Sequence, residues 1–312
     1  MWQLGSGAFL GWSLGSNDAS NVFGTAVASR MVRFRTAAVL CAVFVVLGSV
    51  IDGRAGLETY SGLSDFSLNT AFIVAMASAL TVTLMTRLGL PVSTSQAVVG
   101  ALCAIGVIQD DLNTEALVKV VICWVSTPIG GLVIAVVLYR VLGWVLNVLN
   151  LNIFAYDRVL RAGLILSGSY GAYALGANNV ANVTGAFVGD DMLSPFWAAL
   201  IGGLSIALGV ITYSKHVMYT VGRDLVKLSA YPALIVVLAE AVTVHIFAEI
   251  GVPVSTSQAV VGAAIGVGIA ARTTTFNFRV LSKIGFGWLG TPTITFVGAY
   301  LLFMGGRLLG WL

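Results

Sequence analysis

The sequence predicts an all-α integral membrane protein built from two inverted-topology repeats of about five membrane segments each. Three observations predict it: too little charge to coat a globule, apolar runs too long for strands, and a set of polar motifs that occurs twice in order. Charged residues make up 9% of the 312 positions and apolar ones 58%, with a mean hydropathy of +0.96. A soluble domain carries about 25% charge, so lipid is the surroundings this composition suits. A transmembrane β-barrel would show ~10-residue segments of alternating polarity. Runs such as 37–50 and 132–138 are instead continuous, which predicts helices that satisfy their own backbone groups.

The remaining composition excludes several functions. A formal charge of +3 gives no reason to expect nucleic acid. Cys41, Cys103 and Cys123 lie in apolar runs without CxxC spacing, so they read as small buried hydrophobes, not as ligands or redox groups. No catalytic constellation and no cofactor is expected, and the chain does not read as an enzyme. The first residues lack a basic segment before their apolar run and read as the start of a first helix, not a cleavable signal.

The repeats organise the chain. Pro91 to Ala101 (PVSTSQAVVGA) recurs unchanged from Pro253 to Ala263, 162 residues later. Gly15 to Gly24 (GSNDASNVFG) matches Gly176 to Gly185 (GANNVANVTG), 161 residues later. Lys119, Trp124, Thr127 and Pro128 match Lys283, Trp288, Thr291 and Pro292 at a spacing of 164. Such order divides the chain into residues 1–150 and 151–312, joined through the polar stretch 147–161.

Loop charges give each half its direction. After the first motif, one half has Arg30, Arg33 and Arg35 where the other has Asp190 and Asp191. The next loop carries Asp52, Arg54, Glu58 and Asp65 against Lys215, Arg223, Asp224 and Lys227. After the PVSTSQ segments, Asp110, Asp111 and Glu115 stand against Arg272, Arg279 and Lys283. Basic loops stay cytoplasmic, so a sign that flips at all three places predicts inverted halves. The trace runs from an outside N-terminus through segments near 4–29, 37–52, 69–88, 92–108 and 117–147. Residues 150–161 fall inside, and five similar segments return the C-terminus to the outside. Residues 69–108 fit either two crossings or a re-entrant hairpin. Residues 114–149 exceed the ~20 needed for one crossing, so further half-helices or surface helices are expected.

The polar motifs interrupt apolar helices, as in transporters with broken helices at the midplane. Pro91 and Pro253 suit the first turn of a new helix, whose free N–H groups and positive dipole end favour an anion. Ser93, Thr94, Ser95 and Gln96, with Ser255, Thr256, Ser257 and Gln258, add side-chain hydrogen-bonding groups beside them. Asp18 is the only carboxylate within either glycine-bracketed motif. A charge at bilayer depth costs about 2.5–3.5 kcal/mol and calls for a cation or water. With Asn17, Asn21, Asn178, Asn179 and Asn182 it makes an oxygen ligand set suited to a hard cation such as sodium. Ser, Thr and Gly runs also serve as helix-packing surfaces, but their duplication beside proline favours a site. Glu240, within the apolar run before Pro253, is a candidate coupling residue, while Lys119 and Lys283 read as interfacial anchors.

GSNDASN at 15–21, GANNVAN at 176–182 and the two PVSTSQ segments together resemble the PiT family of inorganic phosphate transporters, over nearly the whole chain. The resemblance implies a symporter of inorganic phosphate with sodium or protons, working by an elevator-like or rocking cycle as a homodimer with both termini outside. It also implies that the two Ser-Thr-Ser-Gln segments contact phosphate, while Asp18, Asn21 and the Asn178–Asn182 cluster hold cations. Members of the family usually carry Asp where this chain has Asn179, which removes one negative charge from the cation site. Fewer cations, protons or another oxyanion such as sulfate are the alternatives that follow. Phosphate carries protons that want acceptors, and Asp18, Gln96 and Gln258 offer them, whereas sulfate wants donors only.

Overall fold

The computed structural model describes residues 2–87, 92–189, 192–224, 229–272 and 278–311. Among these it contains eleven α-helices and one 3-10 turn, Gly185–Phe187. The first half holds α1 (Leu4–Ala28), α2 (Phe34–Asp52), a short α3 (Arg54–Ser61), α4 (Leu68–Arg87), α5 (Thr94–Gln109) and α6 (Thr114–Leu149). The second holds α7 (Ile153–Thr184), α8 (Pro195–Asp224), α9 (Ala230–Glu249), α10 (Thr256–Ala270) and α11 (Phe278–Leu308). The segments expected from the sequence are present to within a few residues, and α3 is a short extra helix of the kind expected. Three expectations are corrected: α1 and α7 run unbroken through the motifs at 15–24 and 176–184, residues 114–149 form the single helix α6, and α7 already begins at Ile153 within the stretch expected to connect the halves. Asn and Ser side chains find partners across the helices, so the backbone ladder need not open. Pro91, Asp190, Asp191 and Lys227 lie outside the described residues.

Local chemistry accounts for where the helices begin and end. Asn113 caps α6 by accepting from the Ala116 amide at 3.0 Å, and Asn152 caps α7 by accepting from that of Ala155 at 2.9 Å. Asp110 and Asn150 stop α5 and α6 in the left-handed region, at φ 57° and 43°, where short polar side chains are tolerated better than most. Among the described residues six helices are long and apolar enough to cross a membrane: Phe34–Asp52, Leu68–Arg87, Thr114–Leu149, Pro195–Tyr219, Ala230–Glu249 and Gly287–Leu308. At 36 residues, α6 is about 54 Å long and overruns the ~30 Å hydrocarbon core. Its outer face exposes Val118, Val121, Ile122, Val125, Ile129 and Val133, the helical spacing of a lipid-facing stripe.

The two halves pack by exchange. α1 lies along α8 while α2 lies along α7, and α5 packs on α11 while α6 packs on α10. Glycines let these backbones meet: a Cβ on Gly15 would stand 2.0 Å from the Ile206 carbonyl oxygen, and one on Gly176 would stand 2.0 Å from that of Val45. Within each half the chain then doubles back. Val82 and Met85 near the end of α4 pack on Val92 and Ala97 at the start of α5, so the two helices run antiparallel. Similarly, Ile235, Val236 and Ala239 of α9 pack on Val260, Ala263 and Val267 of α10. With 16 and 15 residues, α5 and α10 are only about 24 and 22 Å long, and their N-termini meet inside the protein. The Ser95 hydroxyl donates to the Val254 carbonyl at 2.9 Å across that junction.

Candidate functional site

The meeting of two helix starts makes the site. Ser93 caps α5, its hydroxyl accepting from the Gln96 amide at 3.4 Å, and Ser255 caps α10, accepting from that of Gln258 at 3.3 Å. Helix geometry leaves the amides of Thr94, Ser95, Thr256 and Ser257 without intrahelical acceptors. Both dipole ends therefore point into one narrow polar hollow, lined by Asp18, Val92, Ser93, Thr94, Ser95, Asn179, Ser255, Thr256 and Ser257.

Each Asn-rich motif reaches into the hydroxyl segment of the opposite half. Asn21 donates to Thr256 Oγ1 at 3.2 Å, and its counterpart Asn182 donates to Ser95 Oγ at 3.0 Å. The Asp18 carboxylate accepts from Asn17 at 3.1 Å and lies 3.5 Å from Thr256 Oγ1. Asn179, in the matching place of the second half, instead offers its carbonyl oxygen to Asn182 at 2.7 Å and to Asn178 at 3.3 Å. Asn178 braces the backbone: its amide donates to the Val254 carbonyl and its oxygen accepts from the Val254 amide, both at 2.8 Å. That reciprocal pair fixes the residue before the α10 cap.

Several side-chain atoms here are buried without a hydrogen-bond partner: Thr94 Oγ1, Asn179 Nδ2, Asn182 Oδ1 and the Oε1 atoms of Gln96 and Gln258. Each such group costs roughly 1–3 kcal/mol if left unmet. Of these residues, Thr94 and Asn179 line the hollow, Asn182 bonds to lining Ser95, and Gln96 and Gln258 follow lining residues in the chain.

The sequence-expected residues thus fall into groups. Six hydroxyl residues with Asp18 and Asn179 line the hollow; Asn17, Asn21 and Asn182 bond to lining residues; Gln96 and Gln258 sit one turn into their helices. Glu240 stands apart, fully buried on α9 with both carboxylate oxygens unpartnered. Sequence reasoning grouped Asn178 with the ligands and did not see its bonds to Val254. No sequence signal separates a bracing Asn from a ligating one.

With this geometry in view, the comparisons with known proteins are specific. The sequence model of the phosphate transporter family matches residues 14–299. The chain belongs to that family. It is a multi-pass membrane protein of a transporter family. A Methanocaldococcus jannaschii protein named "putative phosphate permease" is 31% identical, covering 94% of this chain and 93% of that one. The sulfate permease CysP of Bacillus subtilis is 28% identical over 94% of this chain and 84% of its own length. Among solved structures, one named "The sodium-dependent phosphate transporter" superimposes with a TM-score of 0.84 at 23% identity, covering 97% of this chain and all of that one. At that identity the likeness establishes the fold: an all-helical transporter architecture.

Proposed function

We propose that the chain carries inorganic phosphate across the membrane by symport with a cation, sodium or a proton. The observation that carries this reading is the juxtaposition of two Ser-capped helix starts with the Asp18 carboxylate in one hollow. The helix starts and hydroxyls attract an oxyanion, while Asp18 repels one. Two unit charges 4 Å apart interact by about 4 kcal/mol at an effective dielectric of 20. A cation or proton at Asp18 cancels that repulsion and leaves the helix starts and hydroxyls to attract the anion, so each ion improves the site for the other. Ser93, Thr94, Ser95, Gln96, Ser255, Thr256, Ser257 and Gln258 form the substrate set in this reading. Asp18, Asn17, Asn21, Asn179 and Asn182 form the cation set, Asn178 holds Val254 in place beside them, and buried Glu240 takes part in coupling. Sodium is favoured by the likeness in fold to a transporter named as sodium-dependent.

The same reading takes residues 1–150 and 151–312 as inverted repeats, with α4–α5 and α9–α10 as hairpins dipping to the midplane. Reversed loop charges, exchanged packing and the short α5 and α10 support it. It places both termini outside and the protein in the cell membrane as a homodimer, which the mass of the detergent-solubilised particle tests. Uptake of labelled phosphate into proteoliposomes, under separate sodium and proton gradients, tests the transport reading. Gradient-driven, saturable uptake is the expected result, and flux indifferent to both gradients would overturn it. A second reading, sulfate transport, is favoured by Asn179, which adds an unpartnered donor where a carboxylate would stand, and by the likeness to a sulfate permease. Competition by sulfate in the same assay separates the two.

A further inference from the structure

A second cluster of ionisable side chains lies away from the hollow, where α2 and α9 end side by side. Asp52 is the last residue of α2 and Glu249 the last of α9, with His245 one turn earlier on the same helix. His245 Nε2 lies 3.2 Å from Asp52 Oδ2 and 3.6 Å from Glu249 Oε1, and the three ligand atoms all fall within 4.8 Å of one another. Two nitrogen or oxygen ligands at ~2.0–2.1 Å from a tetrahedral zinc ion stand about 3.3 Å apart. The two spacings from His245 are therefore close to those of a coordination shell.

Neighbouring groups orient the cluster for this use. His245 Nδ1 lies 2.7 Å from the Tyr170 hydroxyl. With the ring proton on Nδ1 and directed to that oxygen, the Nε2 lone pair faces the two carboxylates. This is the outer hydrogen bond that metal-binding histidines usually make. The Tyr173 hydroxyl donates to Asp52 Oδ2 and holds that carboxylate in place. Two helix C-termini converge here, and their carbonyl ends favour positive charge. Arg54, the nearest basic residue along the chain, is engaged by Glu58 at 2.7 Å. The Asp52, His245 and Glu249 side chains are 25%, 24% and 62% exposed, so an ion can enter from water and retain a solvent ligand.

We propose that Asp52, His245 and Glu249 bind one divalent transition-metal ion of the zinc class. One imidazole with two carboxylates suits such an ion, whereas the all-oxygen set around Asp18 does not call for one. A bound ion ties the end of α9, just ahead of Pro253 and α10, to the end of α2. The site is independent of whether the hollow carries phosphate or sulfate.

The test uses the purified full chain without an affinity tag, stripped with chelator and titrated with zinc by calorimetry and with cobalt(II) by visible absorption. Expected are one equivalent of metal per chain, ligand-field bands of a four- or five-coordinate cobalt site, and a thermal midpoint that rises with metal. His245→Gln and Glu249→Gln should each weaken binding by about 10-fold or more, while His216→Gln leaves it unchanged. Absence of saturable one-equivalent binding by the unaltered chain overturns the proposal, because Nε2 then simply donates a hydrogen bond to Asp52. Equal affinity in His245→Gln overturns it too. Should that variant fail to fold, the exposed position of Glu249 lets Glu249→Gln decide alone.

Discussion

Asp18 and Asn179 occupy corresponding places in the two Asn-rich motifs and differ by one charge, and both line the hollow. In the proposed symport, Asp18→Asn removes the charge that makes cation and anion binding interdependent. Uptake at low cation concentration should fall on the order of 10-fold, as expected for losing a charged hydrogen-bond acceptor. An unchanged cation dependence would remove Asp18 from the coupling site. Asn179→Asp is expected to do the reverse and steepen the dependence of uptake on cation; an identical Hill slope would count against it. Ser255 serves twice, as cap of α10 and as lining residue. Ser255→Ala should lower stability by about 1 kcal/mol and raise the KM for the anion, read from a thermal melt and an uptake curve. Asn178 differs from its neighbours, because both ends of its amide are taken up by Val254.

At the level of elements, the short helices α5 and α10 depend on close packing against the proline-bearing helices of the other half. A Cβ on Gly100 would stand 2.3 Å from the Pro292 carbonyl oxygen, and one on Gly262 would stand 2.0 Å from that of Pro128. The atoms in the way are backbone, so neither helix can yield by turning a side chain. Gly100→Ala or Gly262→Ala should therefore cost about 1–3 kcal/mol, the range for overpacking. Gly5→Ala and Gly298→Ala, with nothing within 4 Å of the added carbon, should be neutral or slightly stabilising by helix propensity. Thermal midpoints in detergent rank the four, and equal losses in both pairs would contradict the packing account. The resulting precision matters to the site, since these contacts set where two helix starts face each other.

At the scale of the whole molecule, interlocked packing makes each half the partner of the other. Asn21 of the first half bonds to Thr256, and Asn182 of the second bonds to Ser95, so residues 1–150 expressed alone contain no complete hollow. Inversion has its own test, using exposed positions at helix ends. In a background with the three native cysteines replaced, Glu115→Cys should react with an impermeant maleimide added to intact cells. Arg272→Cys, in the corresponding stretch of the other half, should react only after permeabilisation. Labelling of both from the same side would return the halves to parallel.

Much of this was legible in the chain because each signal was local or repeated. Apolar runs set the helices, and the duplicated PVSTSQ segment pointed to six of the residues that line the hollow. Composition and periodicity alone determined the helical membrane class, and the motifs carried the resemblance to the phosphate transporter family. Only the tertiary structure decided that α5 and α10 meet head to head, that each motif bonds into the opposite half, and that Asn178 braces Val254. It also brought Asp52, His245 and Tyr170 together from three helices. The physical reason is distance along the chain. Helix propensity and capping act within a few residues, whereas these contacts join groups 75 to 235 positions apart, and only packing of the assembled helices selects them.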